Sequence, residues 1–204
     1  MARRPGKGAE ARRRPGKRPG QSNRVRIIGG VHGGRKLRFP DAAGLRPTSD
    51  RVRETLFNWL QSVLPGASCL DLFSGSGALS LEAASRGAGR VVMLDSAPVV
   101  VRQLKENCAL LGLESVTIEQ ANALSWLEGA AEPFDIVFLD PPFAEDLLEA
   151  CCEKLEAGGW LASEARIYIE MDAHKKLPHL PANWQALKEK EAGQVAFYLF
   201  FRTK

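Results

Sequence analysis

Phe134-Asp135-Ile136-Val137-Phe138-Leu139-Asp140-Pro141-Pro142-Phe143 is the stretch on which the reading of this chain turns. A short, mostly apolar run of this kind makes a buried strand, and two prolines end it by fixing φ and withholding N–H donors. The Asp140 carboxylate therefore stands where a strand gives way to a loop. Upstream, a second apolar run ends in Asp71-Leu72-Phe73-Ser74-Gly75-Ser76-Gly77, again with a carboxylate at the strand end. In an open parallel sheet, the carboxyl ends of the strands form the ligand crevice.

Outward from these two motifs, strand and helix patterns alternate. Strands are predicted at 68–73, 90–95, 115–119, 134–140 and 166–171, with helices at about 77–86, 98–111, 121–128 and 145–156. This alternation predicts an α/β fold of right-handed βαβ units around a parallel sheet. Trp184–Lys188 and Val195–Phe201, around Ala192-Gly193, read as two antiparallel strands at one sheet edge. Ahead of the alternation, Val25–Ile28 and Lys36–Phe39 flank two glycine pairs and read as a β-hairpin. Val52, Leu56, Trp59, Leu60 and Val63 then recur at helical spacing, with N-cap candidates at Thr48-Ser49-Asp50. The division is a disordered basic tail at 1–23, an extension at 24–66 and a main domain at 67–204.

Charge is unevenly spread. Residues 1–53 hold 16 Lys+Arg and three acids, whereas the remainder holds 12 Lys+Arg and 21 acids. A basic leading portion on an acidic body points to a polyanion partner. The chain has no apolar run near the roughly 20 residues that span a bilayer, and its basic N-terminus lacks a secretory apolar segment. Cytoplasm is the expected location. Cys69, Cys108, Cys151 and Cys152 lack metal-ligand spacing and read as reduced core thiols, so no metal is expected.

Chemistry follows from the strand ends. Gly75 and Gly77 form a strand-to-helix turn where backbone approaches a ligand closely. Position 80 is Ser80, so the three-glycine dinucleotide fingerprint fails. Asp71 at the turn suits the ammonium and sulfonium of S-adenosylmethionine rather than a pyrophosphate. Asp95 is placed to accept ribose hydroxyls, and Asn122-Ala123 to meet the adenine edge, with Phe73 in the same loop. Asp140 and the Pro141 carbonyl supply two acceptors for a planar exocyclic amine, and Phe143 a stacking face. Methyl transfer to such an amine is the implied reaction.

These residues carry a resemblance. Arg26–Gly30, Gly34–Leu37, Leu45–Asn58, the Asp71 loop, Asp140–Phe143, Pro181–Trp184 and Ala192–Val195 together resemble the RsmD family, the bacterial 16S ribosomal RNA guanine-N2 methyltransferases. The likeness covers about residues 24–202. It implies a seven-strand class I S-adenosylmethionine-dependent fold, Rossmann-like, with an N-terminal hairpin and helix. It also implies a 16S rRNA guanine as substrate, on an assembled or assembling 30S subunit. By the same resemblance, Arg46, Thr48, Arg51 and Arg53 line the mouth of the site, fixing RNA phosphate or the cofactor's carboxylate; the charges on the hairpin, Arg26, Arg35, Lys36 and Arg38, are expected as further RNA contacts. Two other readings stand beside it. One is an amino-methylase of adenine N6 in DNA or RNA, which Asp-Pro-Pro-Phe serves equally. The other is a non-catalytic RNA-binding assembly factor.

Overall fold

The computed structural model describes residues 23–41, 45, 47–143 and 145–203. The tail assigned to 1–23 and the candidate Arg46 therefore lie outside the described residues, Asn23 excepted. The hairpin is β1 (Asn23–Arg26) and β2 (Lys36–Phe39), paired antiparallel. Period-two alternation sorts its side chains. Val25, Leu37 and Phe39 are buried, while Arg24, Arg26, Lys36 and Arg38 are exposed.

α1 (Asp50–Leu60) follows, capped by Ser49, whose hydroxyl accepts from the Val52 N–H. Then come β3 (Ser68–Asp71), α2 (Ala78–Ser85), β4 (Arg90–Asp95), α3 (Pro98–Leu111), β5 (Val116–Gln120), the single turn α4 (Ala123–Trp126) and β6 (Phe134–Leu139). The chain closes with α5 (Leu148–Ala157), β7 (Leu161–Asp172), β8 (Trp184–Ala192) and β9 (Val195–Arg202). Seven strands form one sheet in the order β5-β4-β3-β6-β7-β9-β8. β3 to β7 run parallel, and β9 inserts antiparallel between β7 and β8. The order reverses between β3 and β6, so the two motif-bearing strands lie side by side at the switch point, where α/β sheets bind ligands.

Two differences from the predicted elements have physical causes. β7 begins at Leu161, before the predicted 166, across a register shift opposite Phe134–Ile136. The exposed Ser163 and Glu164 break the apolar run there. β8 extends to Ala192 because it is a sheet edge, where the alternating charges Lys188-Glu189-Lys190-Glu191 face solvent and guard against further strand pairing.

The hairpin is packed onto the sheet's helical layer, and Val25, Ile27, Leu37 and Phe39 share a core with α1, α2 and α3. Gly30 permits the close approach: at φ +74°, a Cβ there would sit 1.9 Å from the Ser85 carbonyl oxygen. The junction is sealed by Glu82 of α2, a fully buried carboxylate. It accepts from the Ile28 and Gly29 N–H groups at 2.7 and 2.8 Å, from Arg86 at 2.6 Å and from Arg53 at 3.4 Å. A buried charge needs such partners. All four cysteines are buried and free, with burial raising each thiol.

Candidate active site

A cavity of about 890 Å³ opens at the carboxyl ends of β3, β4 and β6. Of the residues singled out from sequence, Asp71, Phe73, Gly75, Asp95, Asn122, Ala123, Asp140, Pro141, Phe143 and Thr48 all line it.

Its first half is the loop after β3. The buried Asp71 carboxylate accepts from the Ser80 hydroxyl and from the Phe73 N–H at 3.2 Å. It thereby ties the loop to α2. Burial pushes its carboxyl up to about 6, the hydrogen bonds from Ser80 and Phe73 opposing. Gly75 donates its N–H to Asp95 at 3.0 Å, and Ala97 donates to the other oxygen at 2.9 Å. The two strand ends are thus cross-linked across the cavity floor. Burial raises the Asp95 carboxyl, against those two N–H groups. Asn122 caps α4, accepting from the Ser125 N–H at 3.2 Å. Gly77 serves the turn itself. At φ +78°, with the Leu81 and Leu104 side chains close to where a Cβ would stand, it must be glycine for the turn into α2.

The second half is the loop after β6. Asp140 accepts from the Thr48 hydroxyl at 3.3 Å. Burial, reinforced by the charges of Glu170 and Asp71, lifts its carboxyl well above the ordinary range. Pro141 is buried, whereas Phe143 is 37% exposed at the rim. Lys175 grips this loop, donating to the Phe143 carbonyl at 2.9 Å and pairing with Asp146.

A second cleft, about 370 Å³, lies beside the first and shares Pro47, Thr48 and Ser49 with it. Arg24, Arg26, Lys36 and Arg53 line it. In the hairpin register, Arg24 faces Arg38 and Arg26 faces Lys36. Asp50 also lines the cleft and pairs with Arg26 at 2.8 Å, so the uncompensated like charges, destabilising when directly opposite, are those of Arg24, Lys36 and Arg38. Arg24 escaped the sequence reading, although alternation with Val25 placed it beside Arg26. Arg35 and Arg38 are exposed on the hairpin outside the cleft, and Arg51 is exposed on α1.

Arg53 is a correction to the RNA-contact reading, whereas Thr48 lines both clefts, as expected of the mouth, with its hydroxyl turned inward. Arg53 is 1% exposed, with its guanidinium committed to the Thr48 carbonyl (3.2 Å), Asp50 (2.6 Å) and Glu82. It stands in the lining of the second cleft, but its guanidinium is already spent on these partners. Thr48 is 7% exposed, and its hydroxyl is turned to Asp140. Also unread in the sequence was Glu170, a buried carboxylate on β7 that lines the same cavity. Its signal was a charge inside the apolar run Ile167-Tyr168-Ile169-Glu170-Met171.

Comparison with known proteins agrees with this architecture. A family model described as "Conserved hypothetical protein 95" matches residues 25–201. Ribosomal RNA small subunit methyltransferase D of Escherichia coli is 51% identical over 181 residues, covering 89% of this chain and 91% of that protein. The chain belongs to the RsmD family. The solved structure of yhhF from Escherichia coli superposes with a TM-score of 0.84 at 48% identity, covering 89% of this chain and 99% of that one. Magnesium protoporphyrin IX methyltransferase from Synechocystis, solved with bound S-adenosylmethionine, has a TM-score of 0.58 at 17% identity, covering 75% and 79%. That likeness is of fold alone. The seven-strand methyltransferase architecture is thus shared across the family and beyond it.

Proposed function

We propose that this family member transfers a methyl group from S-adenosylmethionine to the exocyclic N2 amine of a guanine in 16S rRNA, on an assembled or assembling small subunit. The observation that carries the reading is that the Asp140-Pro141-Pro142-Phe143 loop and the Asp71–Asp95 loops open on one cavity, next to a cationic cleft.

The donor set fits the cofactor. Asp95 retains acceptor capacity for ribose hydroxyls, Phe73 and Ala123 offer apolar walls, and the acidic floor suits a sulfonium and an ammonium. Once bound, S-adenosylmethionine supplies an electrophilic methyl group. The chain's own residues then position the nucleophile. An exocyclic amine is poorly nucleophilic because its lone pair is delocalised into the ring. Accepting its two N–H bonds at Asp140 and the Pro141 carbonyl directs that lone pair at the methyl carbon. Phe143 stacks the base, which must come from a single-stranded or opened region. Proximity and electrostatics supply most of the acceleration. The exposed cations Arg24, Arg26, Lys36, Arg35, Arg38 and Arg51 hold RNA phosphates. The basic tail adds a sequence-independent attraction.

The test is to incubate the protein with labelled S-adenosylmethionine and immature small subunits, digest the RNA and identify the modified nucleoside by mass spectrometry. N2-methylguanosine is expected. N6-methyladenosine would select the amino-methylase of adenine, and no transfer at all would select the non-catalytic assembly factor.

A further inference from the structure

Glu170 holds neither cofactor nor base in the proposed reaction, yet it lines the same cavity as Asp140. It lies on β7 one residue past Ile169, the partner of Leu139 at the end of β6, which leads directly into Asp140; both carboxylates open on the same cavity. Glu170 is 5% exposed, where an unpaired charge is costly. No cation pairs with it among the described residues. Tyr168 donates to its Oε2 at 2.8 Å, and the Thr48 hydroxyl stands between it and Asp140 with its proton given to Asp140. The Arg53 guanidinium is turned to the Thr48 carbonyl and to Asp50 and Glu82. On the other flank, the residue paired with Glu170 on β9 is the uncharged Phe197. Two acids thus stand in one cavity wall with no cation paired to either among the described residues.

We propose that Glu170 is a positioning residue for methyl transfer: acting across the Thr48 hydroxyl, its negative charge makes Asp140 a stronger proton acceptor for the substrate amine. The inference rests on the proposed amine methylation. During transfer the amine lone pair forms the new N–C bond, and the electron pair of the broken C–S bond leaves with the sulfur. One amine proton must depart, its N–H electron pair remaining on nitrogen. Asp140 takes that proton and later releases it to solvent through the cavity mouth. A catalytic acceptor works best when its proton affinity is matched to the operating pH, and a neighbouring like charge raises that affinity. Besides Glu170, the titratable groups facing Asp140 are Asp71 on β3 and Tyr168 on β7. Asp71 already accepts two hydrogen bonds of its own, and Tyr168 spends its proton on Glu170.

The discriminating variant is Glu170→Gln, which keeps the shape and still accepts from Tyr168 but carries no charge. Two measurements are paired. Carbon-13 NMR follows the Asp140 carboxyl titration, and the pH dependence of single-turnover methyl transfer is recorded with small subunits as substrate. In Glu170→Gln, the Asp140 midpoint and the acid limb of the rate profile are expected to move together to lower pH, by about one unit or more. The plateau rate is expected to fall about tenfold, with KM for S-adenosylmethionine unchanged. Glu170→Asp is expected to restore part of both shifts. An unmoved Asp140 midpoint overturns the proposal, as does a slower enzyme whose acid limb stays in place, because that pattern belongs to a purely structural residue. Failure of the underlying reading is distinguishable: wild-type protein would then methylate no guanine, while the NMR titration would still report whether the two carboxylates are coupled.

Discussion

At the end of β3, Asp71 accepts from the Ser80 hydroxyl and the Phe73 N–H, and both its oxygens are engaged. At the end of β6, Asp140 receives the Thr48 hydroxyl on one oxygen, with no other hydrogen bond among the described residues. The two carboxylates stand at the carboxyl ends of neighbouring parallel strands and face one cavity. Their difference lies in what the chain has already donated to them. A carboxylate saturated from within fixes the loop on which a cofactor rests. One left with open lone pairs is available to a substrate. Substitutions at the two positions should therefore fail in different assays.

The largest effect is expected at Asp140. Asp140→Ala removes the acceptor and should lower the methyl-transfer rate by about 10²–10⁴, while calorimetry shows S-adenosylmethionine affinity intact. Asp140→Asn keeps an amide oxygen and should lose about 1–2 kcal/mol, roughly five- to thirtyfold. A wild-type rate in the asparagine variant would remove the carboxylate's charge from the reaction and erase the contrast with Asp71.

Asp71 is expected to show itself in stability. Burial lifts it to about 6 in the fold from an ordinary 3.8. Between those values, the folded chain holds a proton that the unfolded chain has released. Its contribution is fully present below about pH 4 and is lost as pH rises through about 6, by up to about 3 kcal/mol. Asp71→Asn, whose amide can accept from Phe73 and donate to Ser80, should keep the fold and abolish that portion of the slope. Urea melts of both proteins across pH 4–7 make the comparison, and parallel curves would mean that Asp71 is not the group responsible. Asp95 falls between the two types, since each of its oxygens receives an N–H but retains room for more. Asp95→Ala should weaken S-adenosylmethionine binding by about 1.5–3 kcal/mol with little change in rate at saturation, and unaltered affinity by calorimetry would take it out of the cofactor site.

What was legible in the sequence follows the same division. Strand ends, their carboxylates and the hairpin were readable because each depends on local periodicity and a stop signal. Pro141-Pro142 ends β6, and Gly77 turns the chain into α2. Arg53 was misread because its surroundings are tertiary: Glu82 lies 29 residues away on a wholly buried helix. A trace of this was present, since a lone acid in the otherwise apolar and small-residue helix Ala78–Ser85 demands a buried partner. Glu170 was missed for the converse reason, its strand reading as core. β7 lost its first residues to Ser163 and Glu164, whose polarity hides a strand whose start is fixed by pairing with Phe134.

The smallest effect separates arginines rather than aspartates, and it carries the same distinction between saturated and open groups. Arg53 is spent on the Thr48 carbonyl, Asp50 and Glu82, whereas Arg24 and Lys36 stand on the exposed face of the hairpin beside the catalytic cavity. Each phosphate contact made by an exposed cation releases condensed counterions, so losing one should reduce the slope of log affinity against log salt by about 0.7 on single-stranded RNA. Arg24→Ala and Lys36→Ala should each flatten the slope by that amount, leaving thermal stability and the identity of the methylated base alone. Arg53→Lys cannot reproduce the forked set of bonds. It should lower the melting temperature, because the buried Glu82 loses geometry it depends on, while the salt slope of the remaining folded protein is unchanged. Filter-binding curves over a salt series, paired with thermal melts, decide the matter. If Arg53→Lys flattened the salt slope as Arg24→Ala does, the guanidinium would have to emerge from its buried network to meet RNA, and the division between a structural cation and a binding cation would collapse.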